Sequence, residues 1–441
     1  MSFLKPRYAN EHPAFSIANV ELTVIGGSSV GTPVLLEELN AAVEKGELPK
    51  IHVRLYGRNQ LRLERIRTYF KLKTGITKVT VSTHQNLKSA LTDATHVLCQ
   101  IRPGGMESRA KAERAALAAQ IPGDEGLGPS GLAVFLLGRS VIQEVIDQCA
   151  RHAPNAVFMQ MSSPLGLFVA LAQKTLAKPA FGVCELPSVT AHKVLDFIRS
   201  RTGLENLTYS LAGLNHQSWL YDFRDADNVD RTNEIITAIN NPELVSIDPD
   251  VIQRMRAIPM PYLKLFFHKD REFAKQLKQP NTRGEDLMAW FNDLDHAYCD
   301  DHQPDTKRIS SLLSGRNMNW YRDGIVPVLQ KFISREDKTF PLNLANNGAI
   351  EGIDDTAIVE VLCKIGNGIA KPHKTTALPE LPAQLTQRLV AYEQKSLSLP
   401  DKPTVQQLED ALALHPMVQQ QNIRSAADHI RSVVLGAPNE V

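Results

Sequence analysis

The sequence predicts an α/β fold: an N-terminal, Rossmann-like doubly wound parallel sheet, then a C-terminal α+β domain for substrate binding and oligomerisation. Three observations lead there. Short apolar strands alternate with helical stretches over residues 1–195, the pattern of βαβ units in a parallel sheet. The first strand runs straight into a glycine-rich turn and a helix. From about residue 196 the alternation gives way to aromatic and helical segments, so residues 196–441 are expected as a second domain.

Residues 1–18 read as an irregular lead-in. Residues 20–25 form a strand, followed by Gly26-Gly27-Ser28-Ser29 and, from Val34, a helix. This arrangement aims helix N–H groups at a pyrophosphate, and glycine lets the backbone approach it. The pattern departs from G-x-G-x-x-G, so on its own it is equally a tight turn. Residues 51–56 are the second strand. Such a strand often ends in an acid that binds the ribose 2′-hydroxyl, but here Gly57-Arg58-Asn59 follows. Either Arg58 admits a 2′-phosphate, or Asn59 and backbone bind the ribose and Arg58 is solvated. Strands at 78–82 and 95–101 flank a helical 86–94. Arg102 then stands at the ligand-facing edge of the sheet, or in a structural salt bridge. Residues 121–131 are dense in Gly and Pro and read as a long functional loop. A helix at 132–149, a strand at 156–161, a helix to about 177 and a strand at 181–183 complete the first domain.

In the second half, 207–212 is a strand and 228–241 a helix. Residues 259–268 are apolar and aromatic and read as a helix packed on the sheet. Helices follow at 290–298 and from 317, then strands at 343–350 and 359–365. The tail is helical with a break at Ser398-Leu399-Pro400, and its last helix, 425–435, reads as plain charged surface.

Composition excludes several classes. Lys+Arg number 49 against 48 Asp+Glu, which lacks the basic excess of a nucleic-acid binder. No apolar run approaches the ~20 residues of a membrane span, and no signal peptide is visible at the N-terminus. The five cysteines are odd in number with no CxxC pair, which argues against a disulfide framework and for a reducing cytoplasm. Two points carry chemistry: Cys184-Glu185-Leu186-Pro187 and Gly213-Leu214-Asn215-His216, each placed where a strand stops. A thiolate and an imidazole so placed can share one divalent metal. Taken singly, Cys184 reads as a small buried hydrophobe, and His216 and Tyr262 as core residues.

Several segments in this order resemble glycoside hydrolase family 4, the NAD- and metal-dependent glycosidases. They are Gly26-Gly27-Ser28-Ser29, Ile101-Arg102-Pro103-Gly104, Gly128-Pro129-Ser130-Gly131, Ser163-Pro164, the Cys184 and His216 segments, Tyr262-Leu263, and Asn346-Asn347-Gly348 leading to Val359-Glu360-Val361. The resemblance implies a route that differs from the two-carboxylate glycosidases. NAD would take hydride from C3 of the sugar, and the ketone would acidify the C2 proton. Elimination, water addition and hydride return would follow. A C–H beside an ordinary alcohol is too weak an acid for any side chain, whereas one beside a polarised carbonyl is within reach. It further implies Cys184 and His216 as ligands of a divalent metal, Mn, and Tyr262 as the C2 base. Glu185 would be the acid for the leaving oxygen. Gly26, Gly27, Ser28, Ser29 and Arg58 would bind the cofactor, together with Ile101, Arg102 and Ser163. Arg102, Asn215 and Arg283 would contact substrate, and Arg316 and Arg322 are further candidates for an anionic group at C6. NAD is the implied cofactor with NADP left open, and a homodimer or homotetramer is implied by the resemblance alone.

The chain departs from the family at Ser163, where Asn is usual, at Gly57, where an acid is usual, and at Gly123-Asp124-Glu125-Gly126 and Asn317-Met318-Asn319-Trp320-Tyr321. The anion at C6 is therefore left open among phosphate, sulfonate (a sulfoquinovosidase) and carboxylate (a uronic-acid glycosidase), with a lean to α-linkage. The same dinucleotide domain also admits an NAD(P)-dependent dehydrogenase of a hydroxy or sugar acid, or a sensor without turnover.

Overall fold

The computed structural model describes residues 19–436 apart from 179, 301, 335, 336 and 367, so the expected lead-in at 1–18 lies outside the described residues. Six parallel strands form the centre: β1 (Asn19–Ile25), β2 (Lys50–Tyr56), β3 (Val79–His84), β4 (His96–Cys99), β5 (Val157–Gln160) and β6 (Ala180–Gly182). They lie in the order 3-2-1-4-5-6, the doubly wound arrangement with its switch point between β1 and β4. Leu22, Thr23, Val24 and Ile25 are all fully buried, as a parallel strand covered on both faces requires. Register decides where the site lies. Ile25 is level with both Tyr56 and Cys99, Cys99 with Gln160, and Gln160 with Gly182. The turns after β1, β2, β4, β5 and β6 therefore leave from one edge of the sheet.

A second, antiparallel sheet holds β7 (Thr208–Leu214), β8 (Gln217–Arg224) and β9 (Ile258–Pro259). Strands β10 (Lys338–Ala345), β11 (Ile358–Gly366) and β12 (Ile369–Pro372) then return to the main sheet and extend it antiparallel beyond β6 to nine strands. Residue 195, the expected domain limit, falls inside the helix Leu186–Thr202, and the two halves share this sheet.

Several elements differ from expectation. The Gly/Pro-rich stretch is loop only to Leu127; the helix Gly128–His152 starts inside it, with Pro129 in its first turn, where the missing N–H costs nothing. By length and composition this helix is apolar enough to cross a membrane, but it packs against the helices Gly105–Ala118, Leu165–Thr175 and Ile423–Leu435. That last helix is not plain surface: Ala426, Ala427 and Ile430 are fully buried. Residues 259–268 are not one helix but β9, a 3-10 turn Pro261–Leu263 and a short helix Lys264–Phe267. The helix expected from 317 begins as a π-helical turn, Tyr321–Ile325.

Candidate active site

The common strand edge opens into a cleft of ≈ 1480 Å³, larger than a pocket for one small molecule. Its floor at one end is the glycine turn. The N–H groups of Gly26 and Gly27 both donate to the Tyr56 carbonyl, at 3.0 and 2.7 Å. Gly26 has φ +90°, and a Cβ there would lie 2.9 Å from Ile101 Cγ2, so only glycine fits. Gln100 clamps the turn: its Nε2 donates to the Gly26 carbonyl and to Thr32 Oγ1, both at 3.1 Å. Its Oε1 accepts from the Tyr321 hydroxyl at 2.9 Å. The helix Thr32–Glu44 points its N-terminus at this cradle, which suits a dinucleotide diphosphate. Gly26, Ser28, Ser29, Arg58, Ile101 and Ser163 all line the cleft. Gly27 is not among the lining residues; it packs against Leu55 instead.

At the other end stand Cys184, Glu185, Asn215, His216 and Tyr262. His216 lies in the tight turn between β7 and β8, where Leu214 opposes Gln217, and has φ +64°. Left-handed backbone in a non-glycine residue clusters at functional sites. The turn is anchored by Glu360, a buried carboxylate on β11. Glu360 accepts from Asn215 Nδ2 at 3.0 Å, Ser218 Oγ at 2.6 Å and Asn343 Nδ2 at 3.0 Å. Burial raises its pKa while those three bonds oppose the rise. The His216 ring stacks on Tyr262 with centroids 4.2 Å apart and planes 10° off parallel.

Burial pushes the Tyr262 phenol well above its ordinary range, and the charges of Asp124, Glu125 and Cys184 push it further. Burial, then Glu185 and Glu360, likewise raise the Cys184 thiol. Among the described residues no group of three His, Cys, Asp or Glu side chains is set to hold a metal. Cys184 and His216 both line this end of the cleft, and a thiol with an imidazole is a donor set that suits a divalent cation completed by substrate oxygens and water. Glu185 precedes the helix Leu186–Thr202 without capping it through its side chain. Its carboxyl is raised by burial, with His216 opposing.

A buried ionic chain runs behind this end. Arg102 Nη2 and Arg109 Nη1 both donate to Glu125 Oε2, at 2.5 and 2.6 Å. Arg109 Nε reaches Glu113 Oε1 at 2.7 Å, and Glu113 Oε2 accepts the Gly284 N–H at 2.7 Å. Burial raises the Glu125 carboxyl, but Arg102 and Arg109 outweigh it and bring it to about 2. Arg102 is thus salt-bridged, while its buried Nη1 has no partner among the described residues. Arg316 lies 5.0 Å from the Trp290 ring and 5.2 Å from the Trp320 ring. Burial, then the charge of Arg283, lowers it to about 10. No anionic side chain pairs with it among the described residues. Arg283 itself is exposed and is not among the lining residues, and Arg322 pairs with Asp323 at 2.8 Å.

Glu125, Arg109, Gln100 and Glu360 carry much of this geometry, and sequence reasoning alone does not identify them as site residues. Glu360 had a signal, an acid inside the apolar run Val359-Glu360-Val361. Arg109 had none, because its helix Gly105–Ala118 went unassigned.

A doubly wound sheet with a diphosphate cradle at one end of its cleft and a thiol–imidazole pair at the other defines a dinucleotide-type α/β enzyme. Residues 21–199 match the family 4 glycosyl hydrolases and residues 211–418 match the C-terminal domain of the same family, and the chain belongs to that family. A probable 6-phospho-beta-glucosidase of Bacillus subtilis is 25% identical over 417 residues, covering 90% of this chain and 92% of the relative. The fold matches the 6-phospho-beta glucosidase of Thermotoga maritima, solved with NAD and glucose-6-phosphate, at TM-score 0.79 and 21% identity, covering 93% of this chain and 98% of that one. It also matches a 6-phospho-alpha-glucosidase from gut microorganisms, solved with NAD and Mn2+, at TM-score 0.78 and 19% identity over 95% and 98% of the two chains.

Proposed function

We propose that this chain is a dinucleotide- and divalent-metal-dependent glycosidase that cleaves 6-phosphorylated glycosides by transient oxidation at C3 and deprotonation at C2. The observation that carries the reading is the stack of Tyr262 on His216 in the cleft that Cys184 also lines. A phenol beside an imidazole, in a cleft that also holds a thiol, supports reading the three as one site of proton transfer and metal binding. When bound, the dinucleotide supplies reversible hydride transfer and the cation supplies carbonyl polarisation.

The chain's own residues do the rest. Tyr262 takes the C2 proton, and the environment that raises its pKa makes a neighbouring positive charge necessary for that role. Glu185, whose carboxyl is raised by burial, is the candidate donor of a proton to the departing oxygen. Arg102, fixed through Glu125, offers its unspent Nη1 to a sugar hydroxyl. Arg316, partly desolvated beside two tryptophans, takes the 6-phosphate; a half-buried guanidinium without a counter-ion favours a dianion. The relatives named for 6-phospho-glucosides favour phosphate over sulfonate or carboxylate.

The test is removal of both small partners. Stripping the dinucleotide or adding EDTA should abolish hydrolysis of a 6-phosphoglucoside while the protein stays folded, its melting temperature falling only by the lost binding energy, and restoring both should recover it. Hydrolysis that persists without them contradicts the reading. Arg316→Gln should raise KM for the 6-phosphate roughly tenfold or more. A native preference for a uronic-acid glycoside or a sulfoquinovoside would instead reassign the anion.

A further inference from the structure

The end of the cleft beyond β2 is built to choose between dinucleotides. In doubly wound sheets an Asp or Glu near the end of this strand binds the ribose 2′-hydroxyl, and a carboxylate there repels a 2′-phosphate. Here β2 stops at Tyr56 and Gly57 follows. A Cβ on Gly57 would lie 2.3 Å from Ser28 Oγ, 2.8 Å from Ser28 Cβ and 3.0 Å from the Ser28 nitrogen. With Ser28 in the glycine turn, position 57 has no room for an acidic side chain. Asn59 does not replace it, because its Oδ1 accepts the Arg62 N–H at 2.9 Å and caps the helix Gln60–Thr74.

The cleft's acidic residues sit on other elements, and most have cationic partners. Glu107 pairs with Lys111, Asp401 with Arg139, and Glu125 with Arg102 and Arg109. Glu185 stands beside Cys184 at the opposite end. The charged side chains that line the β2 end are Arg58 and Arg62. Arg58 is exposed there. Arg62 donates to the Ser28 carbonyl at 3.3 Å while paired with Asp295 at 2.5 Å.

We propose that this pocket takes the 2′-phosphorylated dinucleotide, NADP, in preference to NAD, and that Arg58 makes the choice. The inference rests on the dinucleotide part of the proposed function. A 2′-phosphate meets a guanidinium and the positive end of the 15-residue helix Gln60–Thr74, where a 2′-hydroxyl gains little from either.

The test is calorimetric titration of the full chain, freed of nucleotide, with NAD+ and with NADP+. NADP+ should bind roughly tenfold tighter at low ionic strength, and the gap should narrow as salt screens the phosphate. Arg58→Ser should weaken NADP+ about tenfold while changing NAD+ less than twofold. Equal or tighter binding of NAD+ by the native chain overturns the inference and leaves the glycosidase reading standing. So does an Arg58→Ser variant that weakens both dinucleotides alike, since Arg58 would then serve the shared diphosphate. Binding of neither dinucleotide overturns both readings.

Discussion

The two ends of the cleft are built by different means. The proposed cofactor end uses short contiguous turns, Gly26 to Ser29, Gly57 to Asn59 and Gln100 to Arg102, brought level by the register of three adjacent parallel strands. Most of its bonds are between backbone groups or from one clamping amide, Gln100. The proposed substrate end draws Cys184, His216, Tyr262, Arg316 and Glu125 from five separate stretches of chain, and is backed by largely buried charges. Local register can place a backbone cradle, but placing a reactive side chain needs long-range ionic and polar contacts. Those contacts carry a desolvation cost that only accurate pairing offsets. The cofactor end should therefore be indifferent to changes that disable the substrate end.

The largest effect expected is at Tyr262. Replacing it with Phe should lower kcat roughly 10³-fold, the scale of a lost general base, and leave dinucleotide affinity within about twofold. A parallel loss of affinity in a binding titration would erase the distinction between the two ends. Next is Glu125→Gln, which removes a carboxylate held at about 2 against an ordinary 4.5. A depressed carboxyl stabilises the fold fully above its unfolded pKa, and that contribution fades as pH falls from about 4.5 to about 2. Urea unfolding should show the variant about 3 kcal/mol less stable at pH 7, with the two proteins converging towards pH 2.

Glu360→Gln tests the anchor of the His216 turn. Mn2+ affinity should drop roughly 10–100-fold, as for lost outer partners of metal ligands, with dinucleotide binding unchanged. The smallest effect lies outside the cleft. Glu393 has no hydrogen bond or ion pair among the described residues, and burial pushes it up to about 8. Folding must keep it protonated, at a cost that grows as pH rises from about 4.5 towards 8. The full shift would be worth about 4 kcal/mol at pH 8, but Glu393 is only half-buried and lines a second cavity. Solvent screening cuts this, and Glu393→Gln should stabilise the protein by about 2 kcal/mol at pH 8 and by almost nothing at pH 4.

Much of the cofactor end is legible in the sequence for the reason that makes it robust. Strands buried on both faces, such as residues 20–25, read as unbroken apolar runs, and the turn residues follow them directly. The thiol–imidazole pair is legible as two strand ends and a family resemblance. Its supports are not. The helix Gln60–Thr74 hides Leu63, Ile66, Tyr69 and Phe70 among lysines and arginines, so its apolar stripe is masked. Glu125 sits in a Gly/Pro-rich stretch that looks unstructured, and its partners Arg102 and Arg109 lie 23 and 16 residues away. Arg283 reads as a substrate contact but is exposed and not among the lining residues, while Arg316 is the guanidinium between two tryptophans. Which arginine of a sequence faces a cleft depends on helix rotation, and spacing does not encode it.

The central proposed step is removal of the sugar's C2 proton by Tyr262 beside Cys184 and His216. Turnover of a 6-phosphoglucoside in heavy water, followed by NMR of the released sugar phosphate, tests this directly. The native protein with dinucleotide and Mn2+ should place deuterium at C2 of the product, and Tyr262→Phe should suppress that exchange together with hydrolysis. Native hydrolysis that leaves the C2 proton in place would contradict it.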